Sequence, residues 1–305
     1  MENSVLVQLR RIPRFAKARV EAFRIHALEG GQHNTLFLVE YDSERFVYRM
    51  GRRIPDHPNH YEDEAHNARA AARVGVGPEI LHFDYDDGSL LYRYIVGRTM
   101  DNDRFKDREA VKRAGRALKI LHGATPFRSG HTLYTRLDRN RKSIENTPGG
   151  LFAAVPRIER AVMALRRFLE AAPVAPAPCH NDPIPENYID CGSRIQIVDW
   201  QCAAMADPHW ELGGLAAQAG FKAEQDQALI EAYFERPDDP GVSRMALYKV
   251  VVSFYWTIHH LARLAAGEDG ERREKGAIAW FRHCERLLGA ADLGGHVERV
   301  KKMAR

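Results

Sequence analysis

The chain has 305 residues, of which 45% are hydrophobic, 28% charged and 9% aromatic. This composition is typical of a folded globular protein and excludes one dominated by disorder, and the length allows two lobes or domains. The formal charge of +4, from 45 basic and 41 acidic residues, suits a phosphate-bearing ligand and is too small to indicate nucleic-acid binding.

The first 96 residues have the pattern of a small, mainly β lobe. Turn-forming residues 30–34 separate a first strand from a second, and polar residues 42–44 form a hairpin-length break before a third. Residues 61–74 place alanines on one side of a predicted helix that ends before Gly75. Asp86-Asp87-Gly88 is a strong hairpin signal between two further strands. The strands predicted after the first turn are residues 35–41, 45–50, 80–83 and 89–96.

From Gly97 onwards the pattern is mainly helical. Residues 107–122 carry apolar side chains at the spacing of one helix face. Three prolines between residues 173 and 178 break the chain before Cys179, and residues 195–199 read as a short apolar strand. The other predicted helices are residues 152–172, 211–234 and 243–267. The sequence therefore predicts an α+β fold class.

No feature of the sequence predicts export or a membrane anchor. The N-terminus has no charged segment followed by an apolar run, so we expect no signal peptide. The most apolar later run, residues 250–256, is too short to span a membrane. The four cysteines show no CxxC spacing and no disulfide framework, which is typical of free thiols. We therefore expect a cytoplasmic protein with no membrane span.

One segment carries the chemistry, and it has the spacing H-x-D-x-x-x-x-N of a kinase catalytic loop. Phosphoryl transfer needs a carboxylate that deprotonates the acceptor hydroxyl, together with oxygen ligands for Mg²⁺. In residues 180–187 we predict that His180 and Asp182 are the catalytic residues, with Asp182 as the base, and that Asn187 is a magnesium ligand. Asp199, at the end of the apolar strand, is predicted to be the second ligand. The alternative is that Asp182 and Asn187 are turn residues beside prolines.

At these residues the chain resembles the aminoglycoside phosphotransferase and choline kinase superfamily, over about residues 27–290. The Brenner-type loop of choline and ethanolamine kinases is similar to Cys179-His180-Asn181-Asp182 with Asn187-Tyr188-Ile189-Asp190. Their D-W-E…D-P…D-L-G segment is similar to Val198-Asp199-Trp200-Gln201 with Asp207-Pro208 and Glu211-Leu212-Gly213. A helix of bacterial choline-kinase-like proteins, and the segment that follows it, are similar to residues 64–71 and to Gly77-Pro78-Glu79-Ile80-Leu81. The resemblance implies a protein-kinase-like, two-lobed fold. Its N-terminal nucleotide-binding lobe would be residues 1–96 and its catalytic and substrate-binding lobe residues 97–305.

The resemblance also implies a nucleotide site for ATP with Mg²⁺. Arg49 stands where the family has a basic residue on the third strand that binds the nucleotide phosphates. Glu64 matches the helix glutamate that holds this basic residue in place. The alternative for these two is a solvated strand-end charge and an exposed helical carboxylate. The remaining implied nucleotide residues are Gly30, Gly31 and Asn34 in the first turn, which an ordinary hairpin turn also explains, and Tyr94 and Ile95 in the hinge.

For the acceptor, the resemblance implies an aromatic cage that holds a cation. The residues at or near the positions of this cage are Trp256, His259 and Trp280. We also predict that the substrate is faced by Gln201 and Glu211. The alternative is that the aromatic residues belong to the core. The chain departs from the family pattern at His33, Pro183, Pro185 and Gln201. Gln201 replaces a glutamate that would help to neutralise a cationic acceptor.

Three functions remain open from the sequence. The first is an ATP- and Mg²⁺-dependent phosphotransferase acting on a small-molecule alcohol, with choline, ethanolamine or a related amino alcohol as acceptor. The second phosphorylates an aminoglycoside or sugar-like hydroxyl, and the third is a nucleotide-binding pseudokinase or regulatory module. No nucleic-acid partner is expected, and formation of a homodimer is left open.

Overall fold

The computed structural model describes residues 2–28, 35–51, 61–128, 132–234 and 240–303. Within these residues an antiparallel sheet comes first and a mainly helical region follows. The predicted first turn, with Gly30, Gly31, His33 and Asn34, lies outside the described residues.

The N-terminal sheet has five strands in the order β1-β2-β3-β5-β4, and every neighbouring pair is antiparallel. Asp42 and Ser43 join β2 to β3 with positive φ angles of 50° and 63°, as a tight hairpin between right-twisted strands requires. The predicted hairpin at residues 86–88 joins β4 to β5, and Gly88 there has φ 75°. The strands are β1 Phe23–Leu28, β2 Leu36–Tyr41, β3 Glu44–Arg49, β4 Ile80–Phe83 and β5 Leu90–Arg93.

The N-terminal segment covers one face of this sheet, which the sequence pattern did not predict. Helix α1, Glu2–Leu9, is followed by short helical turns. Val5, Leu9, Ile12 and Phe15 are buried against sheet residues in one apolar cluster. Each fully buried side chain of this size contributes roughly 1.5–3 kcal/mol, so the segment is an integral part of the lobe.

Helix α2, Tyr61–Arg73, connects the sheet to the helical region. Ala65 packs against β4 and β5, whereas Ala68 and Ala71 pack into the core of the helical region. The amide nitrogen of Asn67 donates to the carbonyl oxygens of Arg128 and Ala203, at 2.9 Å each. Side chains of one helix thus fix the two regions against each other.

The helical region contains two small antiparallel sheets, β6-β8-β9 and β7-β10. Its strands are β6 Arg98–Thr99, β7 Ala177–Cys179, β8 Tyr188–Asp190, β9 Ile195–Ile197 and β10 Ala204–Ala206. Its helices are α3 Arg108–His122, α4 Leu133–Ile144, α5 Pro156–Ala171, α6 Pro208–Gln218, α7 Ala223–Phe234, α8 Pro240–Ala265, α9 Gly270–Leu288 and α10 Leu293–Met303. Among the described residues, no helix is both long enough and apolar enough to cross a membrane.

The predicted helix at residues 107–122 is confirmed, with Val111, Leu118 and Leu121 fully buried on one face. The helical pattern at 211–234 corresponds to two helices, α6 and α7, because the chain turns at Gly220 with φ 66°. Helices α4 and α10 were not predicted.

Candidate active site

The loop at residues 180–187 connects β7 to β8, and its first two backbone amides are anchored by a buried carboxylate. The N–H groups of His180 and Asn181 donate to the two carboxylate oxygens of Glu211, at 3.2 and 2.8 Å. The His180 ring nitrogen Nε2 lies 2.8 Å from the carbonyl oxygen of Val198, and Asn181 has φ 63°. These contacts fix the loop before it reaches Asp182, so His180 positions the loop within the structure.

Asp182, Asn187 and Asp199 meet at one edge of this loop. The Asn187 amide nitrogen donates to the carbonyl oxygen of Asp182 at 2.9 Å and to its carboxylate at 3.2 Å. The N–H of Val198 donates to the carbonyl oxygen of Asn187 at 3.0 Å, which sets Asp199 beside the loop. Asp199 has φ 67°, a left-handed conformation that costs free energy in a non-glycine residue and recurs at functional sites.

The carboxylates of Asp182 and Asp199 influence each other electrostatically. Burial raises the pKa of the Asp182 carboxyl, His180 and Arg136 act in the opposite direction, and Asp199 adds to the rise. Asp182 is partly exposed, whereas Asn187 is buried. The arrangement places a partly accessible carboxylate beside a buried amide and a second carboxylate.

Arg49 and Glu64 form a buried ion pair between β3 and α2. Their side chains are joined by two hydrogen bonds of 2.5 and 3.0 Å, and each residue is only 4% exposed. Arg49 also donates to the carbonyl oxygen of Gly88 at 2.8 Å. Burial raises the pKa of Glu64, which Arg49 opposes and Asp199 reinforces. The pair therefore interacts electrostatically with Asp199. Since both side chains are buried, Arg49 is not a solvated charge at a strand end and Glu64 is not an exposed helical carboxylate.

The donor set fits a hard cation such as Mg²⁺. Carboxylate and amide oxygens are the protein ligands that this ion prefers. Because the amide nitrogen of Asn187 faces Asp182, its amide oxygen is the atom that remains to face a metal. Asp199 supplies a carboxylate at the neighbouring strand end.

Glu211 does not occupy the substrate-facing position that the sequence suggested. It is fully buried, and besides the two loop amides it accepts from His122, whose Nε2 lies 2.8 Å away. Burial alone would raise the pKa of Glu211, but the contacts with His122 and the loop lower it. The carboxylate therefore stays charged and holds the backbone at the start of the 180–187 loop.

Replacing Glu211 with glutamine is expected to lower the free energy of unfolding by about 1.5–3 kcal/mol, because one charge-assisted hydrogen bond is lost. The amide offers one acceptor oxygen to two backbone N–H groups. Denaturant unfolding would measure the change. The matched control is Glu224→Gln on the exposed face of α7, for which we expect a change within about 0.5 kcal/mol. Equal stability of the two variants would show that Glu211 does not hold the loop.

The aromatic residues predicted to form a cage pack against one another. The rings of Trp256 and Trp280 are stacked with centroids 6.3 Å apart, and His283 stacks on Trp280 at 5.7 Å. His259 meets the edge of Trp256 at 5.0 Å. Trp256 and Trp280 are partly buried against the helical core. Ring faces that cover each other are not free to surround a cation, so this packing favours the core interpretation over the cage.

The other predicted site residues lie in two places. Gln201 follows Asp199 in a short helical turn, Trp200–Cys202, and is partly exposed. Tyr94 and Ile95 follow β5, and the N–H of Tyr94 donates to the carbonyl oxygen of Arg45 at 3.0 Å.

Two side chains near Asp182 were missed at the level of sequence. Arg136, on α4, donates to the carbonyl oxygen of Asn181 at 2.6 Å and lies with its guanidinium carbon 5.6 Å from the centre of the Tyr255 ring. Tyr255, on α8, packs against Trp210. Arg136 belongs to no local motif, so the sequence offered no signal for it. Tyr255 directly precedes Trp256 in the aromatic segment but was not itself predicted to be a site residue.

Comparisons with known proteins place these observations in a family context. Residues 24–248 match the phosphotransferase enzyme family. A solved choline/ethanolamine kinase family protein from Mesorhizobium loti is 32% identical, with a TM-score of 0.85 over 99% of this chain and 100% of that chain. Protein LicA of Haemophilus influenzae is 24% identical over 67% of this chain. That match spans 61% of LicA, which is less than two thirds of its length.

An aminoglycoside phosphotransferase solved with ADP and hygromycin B shares the fold. It is 17% identical, with a TM-score of 0.69 over 94% of this chain and 99% of that chain. These similarities confirm the predicted protein-kinase-like fold, with its antiparallel N-terminal sheet and its mostly helical second lobe.

Proposed function

The chain belongs to the phosphotransferase enzyme family, and on that premise we propose that it is an ATP- and Mg²⁺-dependent kinase for the hydroxyl group of a small molecule. The observation that carries the proposal is the meeting of Asp182, Asn187 and Asp199 at one edge of the catalytic loop. The first acceptor class to consider is choline, ethanolamine or a related amino alcohol, because the Mesorhizobium loti relative is named for such kinases.

Each residue of this site has a role in the proposed reaction. Asp182 orients the acceptor hydroxyl and takes its proton as the hydroxyl oxygen attacks the terminal phosphate. Arg49, held in place by Glu64, offers fixed positive charge to the phosphates. Asn187 and Asp199 would hold Mg²⁺, which when bound neutralises charge on the phosphate oxygens. His180 and Glu211 keep the loop in position.

The nucleotide is proposed to lie between a lobe of residues 1–96 and a catalytic lobe of residues 97–305. Because the N–H of Tyr94 is already bonded to Arg45, the backbone of Ile95 is the hinge group best placed to read adenine. The solved relative that contains ADP supports ATP as the phosphate donor. The chain has both the proposed base, Asp182, and the proposed metal ligands, Asn187 and Asp199. Their presence argues against a pseudokinase, since loss of any one of them would remove the base or a metal ligand.

The test is phosphoryl transfer from ATP, in the presence of Mg²⁺, to choline, ethanolamine, related amino alcohols and aminoglycosides. Consumption of ATP that depends on the acceptor, with a phosphorylated product identified by mass, is the expected result. Retained ATP binding without transfer to any acceptor would favour the regulatory module instead. Preference for an aminoglycoside would favour the second acceptor class.

Asp199→Asn is expected to raise the Mg²⁺ concentration required for half-maximal activity by at least about tenfold, because a charged metal ligand becomes neutral. A magnesium titration at fixed ATP concentration would measure this. Asp103→Asn makes the same chemical change on the surface, where Asp103 pairs with Lys106, and should leave the titration unchanged. Identical curves for the two variants would remove Asp199 from the metal site.

A further inference from the structure

Arg136 carries a guanidinium group beside the proposed base, Asp182, and its hydrogen bonds go to uncharged groups. It donates to the carbonyl oxygen of Asn181 at 2.6 Å and to the sulfur of Cys202 at 3.1 Å. Its Nε atom is buried and has no hydrogen-bond partner among the described residues. Within the same residues, no carboxylate oxygen lies within the 4.0 Å ion-pair distance of its nitrogens. A guanidinium has five N–H donors, so three of the five have no partner in the described part of the chain.

This positive charge acts on the residues that line the acceptor side of Asp182. It opposes the rise in the pKa of Asp182 and the rise in the pKa of Tyr255, both of which burial causes. It also helps to lower the pKa of His259, which burial and neighbouring cations bring to about 3. The guanidinium carbon of Arg136 lies 5.6 Å from the centre of the Tyr255 ring, and that centre lies 6.0 Å from the His259 ring. Together with Asp182, whose charge Arg136 influences, these residues mark one space.

The other ionisable groups packed around this space do not supply a balancing negative charge. Arg263 and Arg273 share Glu268, at 2.7 and 2.9 Å. His260 remains neutral near pH 7, because burial and nearby arginines lower its pKa to about 4. Glu211 is committed to the loop and to His122. Arg139, exposed on α4, adds further positive charge.

We propose that the acceptor carries an anionic group, of which a carboxylate is the smallest example, beside the hydroxyl that is phosphorylated, and that Arg136 selects it. The inference rests on the proposed function and names its acceptor class. A guanidinium in a partly buried site attracts a carboxylate strongly and repels a quaternary ammonium group. Gln201, where a glutamate would favour a cation, and the mutually stacked Trp256 and Trp280 agree with this preference. An amino alcohol that also bears a carboxylate satisfies both the family resemblance and Arg136.

The experiment uses pairs of alcohols that differ by one carboxylate, namely ethanolamine with serine and glycerol with glycerate. Binding to the full chain loaded with MgADP is measured by calorimetry, and phosphoryl transfer from MgATP is measured as kcat/KM. For the wild type we expect the acid of a pair to bind at least about tenfold more tightly than its parent alcohol. Arg136→Gln should reduce this acid-to-parent ratio by about 10- to 100-fold, and Arg136→Lys, which keeps the charge, should retain part of it.

Arg141→Gln is the matched control, because it removes the same kind of charge from the same helix at a position where Glu159 already balances it. Its ratio should equal that of the wild type. Each ratio is taken on one protein sample, so a loss of folded protein cancels and cannot imitate loss of selection. Tighter binding of the parent alcohols by the wild type, or equal ratios in Arg136→Gln and Arg141→Gln, would overturn the inference. Binding of acids that depends on Arg136 without any phosphoryl transfer would overturn the proposed function and leave this inference standing.

Discussion

Replacing Asp182 with asparagine is expected to lower kcat by about 10²–10⁴-fold while the affinity for ATP stays close to that of the wild type. Asparagine has nearly the same size, and its side-chain oxygen can still accept from the Asn187 amide, now 3.2 Å from the carboxylate. What it cannot do is take a proton from the acceptor hydroxyl. The loss should therefore appear in turnover rather than in nucleotide binding.

Steady-state kinetics and equilibrium binding of ATP together would measure this separation. Asp190→Asn is a suitable control, because Asp190 lies only three residues beyond the loop and forms an ion pair with Arg113 at its edge. It should retain kcat within about an order of magnitude, since Asp190 has no role in proton transfer. A near-normal rate for Asp182→Asn would mean that another group is the base.

The pH dependence gives an independent readout of the same residue. Because burial raises the pKa of Asp182 above the ordinary carboxyl range, the base becomes protonated as pH falls through that raised value. The kcat of the wild type should therefore fall on the acid side, at a higher pH than for an exposed aspartate. The residual activity of Asp182→Asn should lack this acid limb.

The part of the site that the sequence predicted is the part that is contiguous in the chain. His180, Asp182 and Asn187 lie within eight residues, so their spacing alone fixed which side chains share the loop. Asp199 was predictable because an apolar strand can end beside that loop. Arg49 and Glu64 lie on different elements, and only the family resemblance related them before the structure showed their two hydrogen bonds.

The contacts that could not be predicted act across long sequence separations. Arg136 reaches Asn181 from a helix without any motif, and Glu211 reaches the loop from α6. A helical stripe of aromatic residues has the same spacing whether its rings surround a ligand or stack on a neighbouring helix. The contact of Trp280, on α9, with Trp256 favours the second of these arrangements. Long-range packing, and not local propensity, determined these outcomes.

Removing Glu64 is expected to have the largest effect on stability. Glu64→Ala leaves the guanidinium of Arg49 buried without its counter-ion, although it still donates a hydrogen bond to the carbonyl oxygen of Gly88. Breaking a buried pair in this way costs about 3–5 kcal/mol, because the remaining charge has lost its solvent and its counter-ion. Denaturant unfolding of the purified protein would measure the loss in the free energy of unfolding.

The matched control is the exposed pair of Glu79 and Arg93 on the same lobe, in which Glu79 is 61% exposed along its side chain. Glu79→Ala should cost no more than about 1 kcal/mol, because water solvates the arginine that remains. Equal losses for the two variants would contradict the assignment of Arg49 and Glu64 as a buried pair that depends on its counter-charge.

A double variant separates the structural role of this pair from its proposed catalytic role. Arg49→Met combined with Glu64→Leu replaces both charges with apolar side chains of similar size, and such replacements of buried pairs are often neutral or stabilising. We expect stability close to that of the wild type, together with a strongly reduced kcat/KM for ATP, because no fixed positive charge then faces the phosphates. A stable double variant that still used ATP normally would show that the pair only joins β3 to α2, and the phosphates would then need another cation. Loss of ATP use in a fully folded protein would instead assign Arg49 to the nucleotide, since folding would no longer explain the loss.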